Sequence, residues 1–161
     1  MTDNEVVPGQ ALTDTVAGLY RELLQGPPSD GPTWITSGGP ETALYGCVAD
    51  LSAEQASRDL NGSTIAAHVE HMRWALQLVN DWFDGQAPGA DWSESWSVSA
   101  VDPAAWEKLR ADLRTAGDRV LANLESRQRW NEPMAMQGAL SSYGHAAYHL
   151  GAILQMRKQV L

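Results

Sequence analysis

Thr64-Ile65-Ala66-Ala67-His68-Val69-Glu70-His71-Met72-Arg73-Trp74-Ala75-Leu76-Gln77-Leu78-Val79-Asn80-Asp81-Trp82-Phe83 is the stretch whose pattern decides the fold. Ile65, Val69, Met72, Leu76, Val79 and Phe83 recur three or four residues apart. That is the period of one helical face, and it does not fit the two-residue alternation of a half-buried strand. Ser63 or Thr64 offers a capping oxygen, Asn61-Gly62 stands just outside, and Gly85, Pro88 and Gly89 end the helix. A long helix with an apolar stripe needs other apolar faces to cover it.

Three further stretches supply those faces. The first helix is predicted from Thr13 to Gln25, with Leu12, Val16, Leu19, Tyr20 and Leu23 on one side and Gly26-Pro27-Pro28 as its stop. The third is predicted from Pro103 to Arg129. Asp102 caps it, Pro103 sits at its first position, and Trp106, Leu109, Leu113, Ala116, Val120 and Leu124 form its stripe. Its opposite face is charged, as a solvated face is. The fourth is predicted from Met134 to Val160, with Pro133 at its start and Met134, Gly138, Ser142, His145, His149, Ala152, Met156 and Val160 on one side. Residues 29–40 read as a Gly/Pro-rich loop, Glu41 to Ala49 as a short helix, and Ser52-Ala53-Glu54-Gln55 as a helical start. The predicted fold class is all-α: a four-helix bundle with an additional short helix or loop between helices 1 and 2, in one domain over residues 1–161. Short connections would make successive helices antiparallel neighbours.

The composition excludes several functions. A chain of 161 residues with 43% hydrophobic and 19% charged residues is globular and large enough for one sizeable core. Its net charge of -9 opposes a nucleic-acid partner, which requires a basic footprint. The densest basic stretches, Arg127 to Arg129 and Arg157-Lys158, read as helix-end surface. Cys47 is the single cysteine, so neither an internal disulfide nor a cysteine-based metal cluster can form, and it reads as a small packing residue. Met1-Thr2-Asp3-Asn4-Glu5 lacks the basic start and apolar run of a signal peptide, and no apolar run reaches membrane-spanning length. The expectation is a cytoplasmic protein with no membrane partner. Seven tryptophans stand against one phenylalanine, and Trp92 and Trp96 flank Ser93-Glu94-Ser95. These indoles either lid the ends of a helical core or wall a small-ligand pocket.

The four histidines fall into two pairs, His68 with His71 and His145 with His149. Both spacings put the paired side chains on one helical face. Burying imidazoles among apolar residues is costly unless their nitrogens find partners. A metal ion is one such partner, and zinc sites with an open position use three protein ligands. His145 and His149 would then need a third ligand from another helix. Periodicity places His68 near the centre of its stripe and His71 nearer the edge beside Leu78 and Trp82; both lie within the inward arc. The alternative is a set of core histidines bonded to Tyr143, Tyr148 or Glu70. Residues 145–149 read His-Ala-Ala-Tyr-His, without the glutamate base of a His-Glu-x-x-His zinc protease.

Two segments together resemble the DinB/YfiT-like family of four-helix metalloenzymes. Thr64-Ile65-Ala66-Ala67-His68-Val69-Glu70-His71-Met72 is similar to that family's second-helix opening. His145-Ala146-Ala147-Tyr148-His149-Leu150-Gly151-Ala152-Ile153 is similar to its C-terminal His-x-x-x-His segment. The order and spacing of the helices extend the resemblance over nearly the whole chain, although residues 25–40 and the double-tryptophan loop are not features the family fixes. The resemblance implies a divalent ion, zinc or nickel, held by His71, His145 and His149. His71 matches the second-helix ligand counted from the Thr64-Ile65 cap, and His68 falls where the family has an aromatic residue or a non-ligand histidine. It also implies a small-molecule substrate, a homodimer, and a low-molecular-weight thiol such as mycothiol or bacillithiol as cosubstrate in isomerase or transferase reactions. A metal-dependent hydrolase or thiol-dependent transferase is the functional expectation, since zinc lowers the pKa of water or a thiol. Glu70, Tyr143, Tyr148 and His68 are the nearest candidates for proton transfer. A non-catalytic metal or small-ligand binding protein, or a structural helical protein without metal, is the alternative.

Overall fold

Thr64 starts its helix as the sequence suggests: its hydroxyl oxygen accepts the Ala67 N–H at 3.0 Å. The same hydroxyl donates to the Ser99 carbonyl at 2.9 Å, which ties the helix start to the chain ahead of the next long helix. In the computed structural model, which describes residues 7–86, 89–127, 129–130 and 133–161, the elements are α1 (Gly9–Gln25), α2 (Ala53–Ala56), α3 (Ile65–Phe83), α4 (Pro103–Glu125) and α5 (Pro133–Val160). The acidic start at residues 1–5, Pro88 and Gln128 lie outside the described residues. No strand occurs among the described residues, and no helix among them is long and apolar enough to cross a membrane.

The four long helices form the expected all-α bundle, with the short elements between α1 and α3. α1 packs on α4 and α5, and α3 packs on the same two helices from the other side. Of the long helices, α3 and α4 are successive in the chain and pack closely on one another. α1 finds its packing partners in α4 and α5, which are distant in sequence. Tyr20 and Leu23 of α1, Met72 and Leu76 of α3, Leu113 and Leu124 of α4, and Ile153 of α5 are fully buried in one continuous core. Each such side chain contributes about 1.5–3 kcal/mol through removal from water.

The boundaries differ from the sequence expectation where side chains redirect the backbone. α1 begins at Gly9 rather than Thr13, because the Leu12 N–H reaches the Pro8 carbonyl at 3.2 Å and closes an earlier turn. α4 ends at Glu125 rather than Arg129. The Thr13 hydroxyl donates to the Arg127 carbonyl at 2.5 Å and draws the chain toward α1. Glu41 to Ala49 is not one helix but two 3-10 turns, Pro40–Thr42 and Gly46–Val48. Between them the Leu44 and Tyr45 N–H groups bond the Leu23 and Leu24 carbonyls at the end of α1, at 2.9 and 3.0 Å, instead of bonding within a helix. Gly26 makes this return possible with φ 119, in the left-handed region that favours glycine. Arg157 is also not free helix-end surface. It donates to the Cys47 carbonyl at 2.9 Å and pairs with Asp50, locking α5 to this insert.

Gly117 on α4 answers another close approach, since a Cβ there would sit 2.1 Å from the Tyr45 hydroxyl. Glu22 on α1 organises the Gly/Pro-rich loop. Its buried carboxylate accepts the Trp34, Ile35 and Thr36 N–H groups at 2.9, 2.8 and 2.8 Å and the Thr36 hydroxyl at 2.9 Å. Burial pushes its pKa up, but these donors outweigh it and hold the carboxyl below its ordinary value. Glu22→Gln is therefore expected to cost about 2–4 kcal/mol, because buried N–H groups lose a charged acceptor. Urea unfolding near neutral pH measures it. Because the folded pKa is the lower one, this contribution is present above the unfolded glutamate pKa and is lost as pH falls through the folded one.

His149, Met156 and Val160 of the predicted α5 row are buried, but the first half of the row does not face the core. Ala139, Ala146, Leu150 and Ile153 are buried in the core, whereas Gly138, Ser142 and His145 are half-buried and line a cavity. Met134 is 75% exposed. Met134, Gly138, Ser142 and His145 share the helical period of the core stripe but border open space.

Candidate metal centre

α3 and α5 pack together and bring their histidine pairs face to face. The Nε2 atoms of His71 and His145 are 2.9 Å apart, and those of His149 and His145 are 3.1 Å apart. One ligand nitrogen from each of the three lies within 4.8 Å of the others. His71 and His149 are each 4% exposed, and His145 is half-buried.

The outer nitrogens explain the orientation of these rings. His71 Nδ1 is 2.7 Å from the Ser95 hydroxyl, and that hydroxyl donates its own proton to the Trp92 carbonyl at 2.6 Å. Ser95 must therefore accept from His71 Nδ1–H, which leaves a lone pair on His71 Nε2. His149 Nδ1 is 2.9 Å from His68 Nδ1. Were His149 to turn its Nε2 lone pair to a shared ion, it would donate from Nδ1–H to His68, whose own proton would then lie on Nε2. Burial, then repulsion from the neighbouring imidazoles, pushes His149 down to about 3 and His71 down to about 4. Burial lowers His68 and His145 as well. The cluster is neutral at neutral pH.

Neutral imidazoles whose Nε2 lone pairs converge repel one another unless something positive lies between them. A tetrahedral zinc ion with bonds of about 2.0–2.1 Å holds its nitrogens about 3.3 Å apart, and the His71–His145 and His149–His145 separations of 2.9 and 3.1 Å lie close to that spacing. Three neutral nitrogen donors without a carboxylate suit zinc, nickel or another borderline ion. A buried three-histidine cluster able to coordinate a divalent ion is thus present.

His68, favoured over His71 by periodicity, lies outside this group and reaches it through His149. α3 is buried on nearly every side, against α4, α5 and the tryptophan turn Glu94–Trp96, so its wheel has no single inward direction. Glu70 faces Arg73 with two hydrogen bonds of 2.7 Å. Tyr143 packs against Tyr20 with ring centroids 5.6 Å apart. Tyr148 is 73% exposed and meets the His149 ring edge-on at 5.1 Å. Of the proton-transfer candidates, only His68 and Tyr148 touch the cluster. Cys47 is buried, and burial pushes its thiol up to about 12, which fits an inert packing residue.

The tryptophan loop both covers the histidines and walls a pocket. Trp96 stacks on His71 at 4.1 Å and 18°, and Trp92 meets the His145 ring at 5.7 Å while lining the adjoining cavity. Fully buried Ser95 is the residue that sequence reasoning missed. Its signal was a hydroxyl held between two tryptophans. Ser95→Ala and His68→Ala are each expected to weaken zinc binding by about 10–100-fold, the usual effect of losing a hydrogen-bond partner of a ligand histidine. Competition with a chromophoric chelator reads this directly. In comparisons with known proteins, no family model, curated protein or solved structure matches the chain.

Proposed function

We propose that the chain is a DinB/YfiT-like domain over residues 1–161 that uses a divalent ion, zinc or nickel, on His71, His145 and His149 to transform a small molecule. The observation that carries this reading is the convergence of ligand nitrogens from three histidines, two of them buried and one half-buried, at one point between α3 and α5. Bound there, a divalent ion supplies a Lewis acid that lowers the pKa of water or of a thiol cosubstrate. The rest is the work of the chain. Ser95 and His68 hold the tautomers of His71 and His149. Trp96 shields the His71 side, while His145 borders the cavity, so small molecules approach from that side. Glu70 is held by Arg73, and His68 reaches the cluster through His149.

Separations of 2.9 and 3.1 Å are also hydrogen-bond lengths, and they favour a second reading. In it, a proton on His145 Nε2 links the rings, and the protein binds a ligand or serves a structural role without metal. Titration of tag-free protein with Co²⁺ separates the two. The metal reading predicts one equivalent bound, with intense visible absorption that shifts on adding 2-mercaptoethanol. Absence of binding supports the proton-linked cluster. Binding with no response to thiol or other added ligands supports a closed, non-catalytic metal site.

A further inference from the structure

A cavity of about 690 Å³ opens beside His145. It lies between the second half of α3, with Trp82 and Phe83, and the first half of α5, with Gly138 and Met134; Trp92 stands at the His145 end. From Met134 to His145 it follows about three turns of α5, or about 16 Å. Its volume falls within the range of about 300–1,000 Å³ typical of small-molecule sites. Gly138 keeps it open: a Cβ built there meets nothing within 4 Å, and the residue has no positive φ. Glycine at this position therefore relieves no clash and meets no backbone demand. It leaves room. Arg127, which lies over the Phe83 ring, and Gln137, Ser141 and Ser142 supply polar edges, but most of the wall is aromatic and aliphatic and offers burial to hydrocarbon, with His145 at one end.

We propose that this cavity takes the extended apolar tail of an acyl or alkyl substrate, with the reacting head group at His145 and the tail directed toward Met134 and Phe83. The role of the head rests on the metal reading above; the placement of the tail does not.

Calorimetry on the zinc-loaded full chain with acetohydroxamate and octanohydroxamate tests it. Both carry the same chelating head. The longer probe is expected to bind at least about 100-fold more tightly, from about threefold per buried methylene. Gly138→Leu places an isobutyl group in the open space and raises helix propensity, so the variant folds. It is expected to abolish the difference between the two probes. Equal affinities in the wild-type chain, or an undiminished difference in Gly138→Leu, would overturn the proposal. If zinc does not load, the metal reading fails separately, and 1-octanol binding to the metal-free chain, followed by tryptophan fluorescence, decides the cavity. Saturable binding that Gly138→Leu removes supports the tail site, and no binding overturns it.

Discussion

Zinc is expected to stabilise the wild-type chain strongly and His71→Ala hardly at all. A ligand that binds only the folded state adds about 2.7 kcal/mol at a concentration 100 times its Kd. For a domain of this size that raises Tm by about 5–10 °C. His71→Ala removes one of the three converging Nε2 atoms together with the anchor to Ser95. Losing an outer partner alone costs about 10–100-fold in affinity, so losing the ligand costs more, and at the same zinc concentration the shift collapses. His145→Ala and His149→Ala are expected to behave alike. The zinc-induced shift is read against each variant's own metal-free Tm, so a general loss of packing under Trp96 does not imitate the result. His68→Ala is expected to keep a reduced shift. If His68→Ala abolishes the shift and His71→Ala retains it, the ligand assignment is reversed.

The metal-free protein is expected to lose much of its stability on mild acidification. The folded pKa values of His71, about 4, and His149, about 3, lie below the unfolded histidine value. That unfolded value is about 6.5, so at lower pH the unfolded chain takes up protons that the folded cluster refuses. Stability is therefore complete above about pH 6.5 and falls as pH drops toward the folded values, by about 1.4 kcal/mol per pH unit for each of the two groups. At about pH 5 the loss is about 4 kcal/mol, a large fraction of the about 5–15 kcal/mol available to a typical domain. Urea unfolding in the presence of chelator across this range measures it. A flat profile would mean that the rings are not held neutral in the fold. Glu22 acts in a lower window, because its folded carboxyl lies below the ordinary glutamate value, so the two effects separate. Metal binding requires the same neutral rings, and zinc should leave as the pH falls.

Much of the bundle was legible in the sequence because its stripes are simple. Trp106, Leu109, Leu113, Ala116, Val120 and Leu124 are all buried on α4, which packs with one apolar side and a charged opposite face. Thr64 and Asp102 cap their helices through local hydrogen bonds that need only the adjacent residues. The insert was less legible, because its turns are shaped by contacts to the end of α1 that are distant in sequence. The same distinction applies at the histidines. Pairing on helix faces was readable from spacing. The choice between His68 and His71 depended on the rotation of a helix buried on nearly every side, and the part played by Ser95 depended on where a loop crosses α3. The α5 row through Gly138 and Ser142 misled because periodicity registers a face turned toward a cavity and a face turned toward the core in the same way.

The most direct test of the three-histidine centre is elemental analysis of tag-free protein, wild type beside His71→Ala, His145→Ala and His149→Ala. A single three-ligand site predicts about one equivalent of a divalent transition metal in the wild type and little in each variant. Metal content that survives all three substitutions, or a wild-type chain that holds none even after incubation with zinc or nickel, would contradict it.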